Sequence, residues 1–414
     1  MNLLGKLVEK SAIQSPNRPA VINEDHSTVT FASLQRRINK VGCFLQAQHV
    51  QKGDHVIIWL PNTLEWIVSY WALMKLGAVG ILVNDMAKQF EIEHILADAK
   101  PVVIITNAKF MEALQKYSLP DLAWIKILVV DGSSEAKALF LDQPDEPTLE
   151  LPLTDLDPAT SPAAVIYTGA LAGVPMGAVL SQRNFYYATL QTLSVTLPGA
   201  HDCFSTLLPF YHGYGLIGSL GMSMVREIPV YITGRFSTIR FQKILKDSPV
   251  TCFLGVPLMY GLLTKYLQPG TDLSRIRTWI VGGDSTPREI FQACQEKYGI
   301  TIREGYGLTE ASPSLTYNGL TGVVKFGSVG TPLPNVTVEI LDEQGQPLPP
   351  NKEGQVVVQG PNVFMGYLNQ PEKTAEILRN GKLYTPDRGY LDEDGFLFLT
   401  GRLKTFYISN GLNV

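Results

Sequence analysis

Between residues 54 and 106, dense apolar runs alternate with segments in which apolar and polar positions mix at helical spacing. The run HVIIWL (55–60) predicts a buried strand, and Pro61-Asn62-Thr63 predicts a turn that starts a helix. LEWIVSYWALMKL (64–76) then predicts an amphipathic helix ended by Gly77, with AVGILVN (78–84) as the next strand. IEHILADAK follows as a helix and PVVIITN as another strand. Strands this apolar need cover on both faces, which predicts a parallel sheet flanked by helices. A second region over roughly 185–305 repeats the texture, with strands at TCFLGV and RTWIVGG. After about residue 325 the pattern changes. TVEILDEQGQPLPPNKEGQVVVQG reads as two strands around a Gly/Pro-rich turn, and GFLFLTG as another, so a small β subdomain is expected there. Residues 131–162 are rich in Pro, Asp and Ser and read as a surface connection into the strand AAVIYT.

At 414 residues the chain exceeds the usual size of one core, so two or three packed subdomains are expected. The net charge of -4 provides no basic field for a phosphate backbone and excludes nucleic acid as an expected partner. Cys43, Cys203, Cys252 and Cys294 are scattered, which fits reduced thiols and neither a zinc site nor a disulfide framework. Lys6, Glu9 and Lys10 break up the start of the chain, so no signal peptide is read there. The most apolar stretch, Val56 to Val83, is interrupted by Asn62, Glu65 and Lys75 and is read as strand–helix–strand instead of a membrane span. A cytoplasmic location is expected. His26, His49, His55, His94 and His201 share no spacing that would suggest a metal site.

The strongest chemical signal is Glu304-Gly305-Tyr306-Gly307-Leu308-Thr309-Glu310, which follows the β-like run ITI. Two glycines allow a backbone to approach a ligand closely, and Tyr306 offers a flat face to a base. Thr309 offers a hydroxyl to a phosphate, and Glu310 a carboxylate suited to Mg²⁺.

This string resembles the adenylate site of the AMP-forming acyl-activating superfamily, which includes acyl-CoA synthetases, fatty acyl-AMP ligases, adenylation domains and luciferases. Further blocks agree in order. Leu208-Pro209-Phe210-Tyr211-His212-Gly213-Tyr214-Gly215 resembles the segment whose aromatic–His pair lies beside the reacting carboxylate. Gly282-Gly283-Asp284 resembles the turn between adenine and acyl pocket, and Gly327-Ser328-Val329-Gly330-Thr331-Pro332 and Gly366-Tyr367 match two more blocks. Tyr384-Thr385-Pro386-Asp387 resembles the block whose Asp binds the ribose hydroxyls, and Gly401-Arg402-Leu403-Lys404 the hinge block whose Arg also reaches the ribose.

The resemblance implies an α/β fold of two interleaved, doubly wound subdomains over 1–324 and a small distorted β-barrel over 325–401. It also implies a hinge over 402–414, with the family's small C-terminal domain absent from this sequence. GRLKTFYISNGLNV reads as the first arm of a hairpin whose partner is missing, as in a truncated chain. The implied reaction is a two-step ligation. ATP with Mg²⁺ and a carboxylic acid give an acyl-adenylate and pyrophosphate, and the thiol of coenzyme A or carrier-protein phosphopantetheine then takes the acyl group. The resemblance assigns His212, Thr309 and Glu310 to catalysis, with Glu310 as metal ligand. Nucleotide contacts are assigned to Thr168, Gly169, Gly173, Gly282, Gly283, Asp284, Glu304, Gly305, Tyr306, Gly307, Thr309, Asp387 and Arg402. The acyl pocket is assigned to Tyr211, Tyr214, Gly215, Val256 and Pro257. No acidic residue lies between Asp202 and Glu227 to hold an α-amine, so a fatty or aryl acid is expected over an amino acid.

One block departs from the family. The phosphate loop reads Tyr167-Thr168-Gly169-Ala170-Leu171-Ala172-Gly173-Val174-Pro175-Met176-Gly177 where the family carries Ser and Thr hydroxyls and a lysine. Gly169, Leu171 and Ala172 replace the hydroxyls, and Met176 replaces the lysine. Hydrogen bonds to charged groups are each worth roughly 1.5–3 kcal/mol. Weakened handling of the β,γ-phosphates is therefore expected, with a catalytically weakened adenylate-binding protein as the alternative.

Overall fold

The computed structural model describes residues 3–117, 119, 122–142, 148–168, 174–234, 236–319 and 322–403, with two strands, Ile408–Ser409 and Leu412–Asn413. Two large sheets and a smaller one organise these residues.

The seven-stranded sheet is built on the predicted βαβ pattern. His55–Trp59, Val79–Leu82, Val103–Thr106, Lys126–Val129 and Pro162–Thr168 run parallel, and Met176–Ser181 and Gly366–Tyr367 add antiparallel strands at one side. Side chains alternate across a strand, and here both faces are buried. Val56 and Ile58 join the cluster packed by the helices Leu3–Gln14, Phe31–Ala47 and Leu64–Leu76, whereas Ile57 and Trp59 join the one packed by Gln89–Ala99 and Ala108–Lys116.

The nine-stranded sheet has a parallel core of Arg303–Tyr306, Thr278–Val281, Cys252–Gly255, Phe204–Ser205, Val230–Tyr231 and Pro19–Ile22. Pro19–Ile22 and its hairpin partner Thr28–Thr30 come from the start of the chain, so the first sheet is threaded between two parts of the second. The two α/β subdomains are interleaved in this sense, as expected. The third sheet is antiparallel and five-stranded, made by Thr337–Leu341, Gly354–Gln359, Leu378–Arg379, Lys382–Leu391 and Leu397–Arg402. Strands Thr331–Pro332 and Gly366–Tyr367, inside the segment expected to be the β subdomain, belong instead to the two large sheets.

Three sequence readings need correction. The helix Leu64–Leu76 is not amphipathic, because every residue from Trp66 to Leu76 is buried. Its Lys75 is only 2% exposed and pairs with Glu9 and Asn39. The 131–162 connection is not wholly superficial. It forms the helix Ser134–Leu139 and buries Phe140, Leu151 and Leu156, with Leu151 seated against Gly42, where a Cβ would overlap it. The strand Ile408–Ser409 does have a partner within the chain, pairing antiparallel with Leu412–Asn413.

Candidate functional site

The site lies at the carboxyl ends of the parallel strands, where an open α/β sheet leaves a crevice for ligands. Strand Arg303–Tyr306 runs beside Thr278–Val281 and meets Thr316–Tyr317 antiparallel, with Tyr306 opposite Thr316. Gly307 follows with its backbone pressed on Pro313, leaving no room for a side chain, since a Cβ there would overlap the Pro313 carbonyl. The chain then makes a tight turn, Thr309–Ala311, held from outside by Phe364, whose N–H donates to the Glu310 carbonyl at 2.9 Å. Thr309 and Glu310 are thereby presented to a cleft of about 910 Å³.

That cleft is walled by Thr168, His212, Gly283, Gly307, Thr309, Glu310, Asp387 and Arg402, residues drawn from all three sheets and their loops. Asp387 is 4% exposed and grips two partners. The Tyr306 hydroxyl donates to Oδ2 at 2.5 Å, and Arg402 Nε donates to Oδ1 at 2.9 Å. Asp387 and Arg402 stand directly opposite on neighbouring strands, so Arg402 belongs to the sheet and is not a loose hinge residue. Burial together with the Asp387 charge holds the Tyr306 phenol well above its ordinary pKa, so it is the donor in this pair.

Glu310 accepts a hydrogen bond from the Tyr367 hydroxyl at 2.5 Å through Oε1, and its enclosure raises its pKa despite that bond. Its second oxygen and the Thr309 side chain beside it fit Mg²⁺, which is typically held by one or two carboxylates together with substrate phosphates. Among the described residues, no cluster of three or more His, Cys, Asp or Glu is arranged to bind a metal unaided.

A second, smaller cavity of about 70 Å³ lies on the other side of the 282–283 turn. It is lined by Tyr214, Gly218, Met222, Leu254, Ile280 and Leu333 among others, and among the described residues no Asp, Glu, Lys or Arg faces it. Gly218 and Met222 come from the helical segment that follows Gly213, which contains a π-helical turn at Leu216–Gly221. The two cavities share His212, Gly283, Gly307 and Pro313 as walls. His212 Nδ1 accepts the Tyr214 backbone N–H at 3.2 Å. Its enclosure lowers the imidazole pKa, which keeps the ring neutral. With Nδ1 an acceptor, the proton sits on Nε2, so His212 offers a hydrogen-bond donor where the cavities meet.

The other assigned residues fall in several places. Gly282 and Gly305 line the smaller cavity, and Gly283, with φ of 87°, lines both. Asp284 turns its carboxylate to the Ser285 N–H at 2.7 Å. Glu304 is 5% exposed and lines neither cavity; its carboxylate accepts the Thr286 N–H at 3.1 Å and so buttresses the 282–286 turn from behind. Of the five residues assigned to the acyl pocket, Tyr214 lines the smaller cavity and Tyr211 lines the larger cleft. Gly215, Val256 and Pro257 stand behind the wall. Gly215 lets its helix close onto the Pro209 carbonyl, Val256 flanks Gly283, and buried Pro257 begins the helix Pro257–Tyr266. Gly169 and Gly173 lie outside the described residues. Sequence reasoning missed Gly218, Met222, Leu254 and Leu333, whose positions come from packing between distant segments, and it matched Tyr367 to a block without a role in the site.

A cleft of about 910 Å³ and a smaller, largely apolar cavity thus meet at one wall, made by His212, Gly283, Gly307 and Pro313. The chain belongs to the AMP-binding enzyme family, which it matches over residues 8–368. It is 30% identical to a long-chain-fatty-acid–CoA ligase of Bacillus subtilis, across 99% of this chain and 78% of that protein. Among solved structures, ATP-bound MatB from Rhodopseudomonas palustris superposes with a TM-score of 0.89 at 26% identity, covering 100% of this chain and 81% of the other. O-succinylbenzoate coenzyme A synthetase from Bacillus subtilis, in complex with ATP and magnesium ion, gives 0.84 at 26% identity, covering 99% and 82%. Among the described residues, no helix is long and apolar enough to cross a membrane.

Proposed function

We propose that the chain is an AMP-forming acid–CoA ligase. A carboxylate attacks the α-phosphate of Mg·ATP, the bond to the β-phosphate breaks, and pyrophosphate leaves. The coenzyme A thiol then displaces AMP from the acyl-adenylate. The observation that carries this reading is the shared wall of the two cavities at His212, Gly283, Gly307 and Pro313. An acid in the apolar cavity and a nucleotide held at Asp387 would meet there, with the Nε2 proton of His212 directed at the carboxylate. Its role is to orient, which matters because two anions must approach. Mg²⁺ at Glu310 would neutralise charge on the phosphates of ATP. The names of the fatty-acid and succinylbenzoate relatives support the acid-to-CoA direction.

The cavity also narrows the acid. Among the described residues it holds no charged side chain that could answer an α-amine, and about 70 Å³ is half the roughly 150 Å³ cavity known to admit benzene. A short, narrow aliphatic acid is favoured over a bulky ring. The test is acid-dependent exchange of labelled pyrophosphate into ATP, run with short straight-chain acids, palmitate and benzoate. Exchange is expected with the short acids, and His212→Ala should lower it by about 10²-fold while AMP affinity stays constant. A protein that binds AMP yet exchanges pyrophosphate with none of the acids would overturn the proposal.

A further inference from the structure

The larger cleft contains more than the adenylate contacts, and its charged groups divide unevenly. On the side of the β sheet, Arg402 is held by Asp387, and Arg379 donates to the Glu376 carbonyl and stacks on Tyr384 at 4.9 Å. Lys88, at the start of the helix Gln89–Ala99, also lines the cleft. Lys88 is exposed, its backbone N–H bonds to Glu91 Oε2 at 2.8 Å, and its ammonium makes no ion pair among the described residues. Met176, where the family's loop carries its lysine, is packed on the hydrophobic core and offers no charge.

The helix Gln89–Ala99 is pinned along the hairpin that carries the loop. Asp98 accepts the Tyr167 hydroxyl at 2.8 Å, and one turn nearer the helix start His94 Nε2 meets the Pro175 carbonyl at 2.7 Å. Moving towards the start of the helix therefore moves outward from the paired base of the hairpin, from Tyr167 to Pro175. Lys88 lies six residues beyond His94 in that direction, about 9 Å further along the axis. We propose that Lys88 binds the terminal phosphates of ATP and supplies the positive charge that Met176 withholds from the loop. The inference rests on the reading of the cleft as the nucleotide site. A cation presented from a neighbouring helix can balance phosphate charge as well as one presented from the loop, since a lysine acts as a point charge and not as a fixed fork.

The test uses titration calorimetry of the intact protein with Mg·ATP, AMP and coenzyme A, on the wild type and on Lys88→Ala, Lys88→Arg and Lys88→Ala/Met176→Lys. Lys88→Ala should weaken Mg·ATP by about tenfold and leave AMP within twofold, because AMP lacks the terminal phosphates. Lys88→Arg should restore most of the loss, and Met176→Lys should rescue ATP binding in the Lys88→Ala background. Since Lys88 is exposed, unchanged melting temperatures are expected for all variants. Lys88→Ala with an unchanged ratio of ATP to AMP affinity overturns the assignment, as does a loss confined to coenzyme A. A wild type that binds neither AMP nor ATP would instead remove the nucleotide reading of the cleft itself.

Discussion

Asp387→Ala removes a carboxylate that serves the fold and, in the proposed function, the ribose as well. Its two oxygens accept from Tyr306 and Arg402, and hydrogen bonds to a charged group are worth roughly 1.5–3 kcal/mol each. Arg402, 27% exposed, can regain water when its partner disappears. The stability loss should therefore be about 3 kcal/mol, nearer the lower end of the 3–5 kcal/mol typical of a broken buried pair. If the carboxylate also takes the ribose hydroxyls, AMP should weaken by a further 2–3 kcal/mol, or roughly 30- to 150-fold. Tyr306→Phe separates the two roles. It keeps the carboxylate and the aromatic face, so stability should fall while AMP affinity changes by less than about tenfold. The measurements are denaturant melts and AMP titrations on both variants at a temperature where each is folded. Asp387→Ala that loses stability but binds AMP within twofold of wild type would refute the ribose assignment. Unchanged stability in both variants would refute the buried triad.

Two further outcomes follow from the site. Gly307→Ala must push the backbone away from Pro313, so a loss of about 3 kcal/mol or more and of AMP binding is expected, while Gly322→Ala, with nothing near its Cβ, should behave as wild type; equal melting curves for the two would show that the close approach is absent. Burial raises the Glu304 carboxyl from an ordinary 4.5 to about 7, so the folded state holds its proton more tightly than the unfolded chain. The stability from that proton is complete below about pH 4.5 and is lost as pH rises through about 7. Glu304→Gln keeps the acceptor for Thr286 and should flatten melting temperature against pH across this window, and parallel curves for variant and wild type would count against it.

The elements read correctly from sequence are those whose burial is written into consecutive residues. HVIIWL and PVVIITN are strands because both of their faces are covered, which requires an unbroken apolar run. The helix Leu64–Leu76 was misread because Glu65 and Lys75 suggest a wet face, yet Lys75 reaches Glu9 and Asn39 inside the protein. Leu151 and Leu156 are isolated apolar residues in a polar stretch, and only their docking against Gly42 and near Gly77 reveals them as core. In the site, the local string 304–310 was legible, since its glycines and hydroxyl lie within five consecutive residues. The links from Tyr306 to Asp387 and from Glu310 to Tyr367 join residues far apart in the chain, and no periodicity records them. The smaller cavity was least legible. Its lining is drawn from four strands, the helix Gln182–Thr196, the helical segment with the π turn and the loops between them, each strand contributing one or two residues.

The threading of one sheet through the other constrains the order in which the molecule can be assembled. Val21 pairs with Val230, so the strand near the start of the chain must wait for a neighbour made roughly 200 residues later. The five parallel strands of the seven-stranded sheet come with their helices from one continuous stretch and can form first on the ribosome, while Ala20 and Val21 are held without their parallel partner strand. The nine-stranded sheet is complete only when strands from Pro19–Ile22 to Thr331–Pro332 have come together. Refolding should accordingly show an early phase, in which Trp59 and Trp71 become shielded, followed by a slower one that brings nucleotide binding.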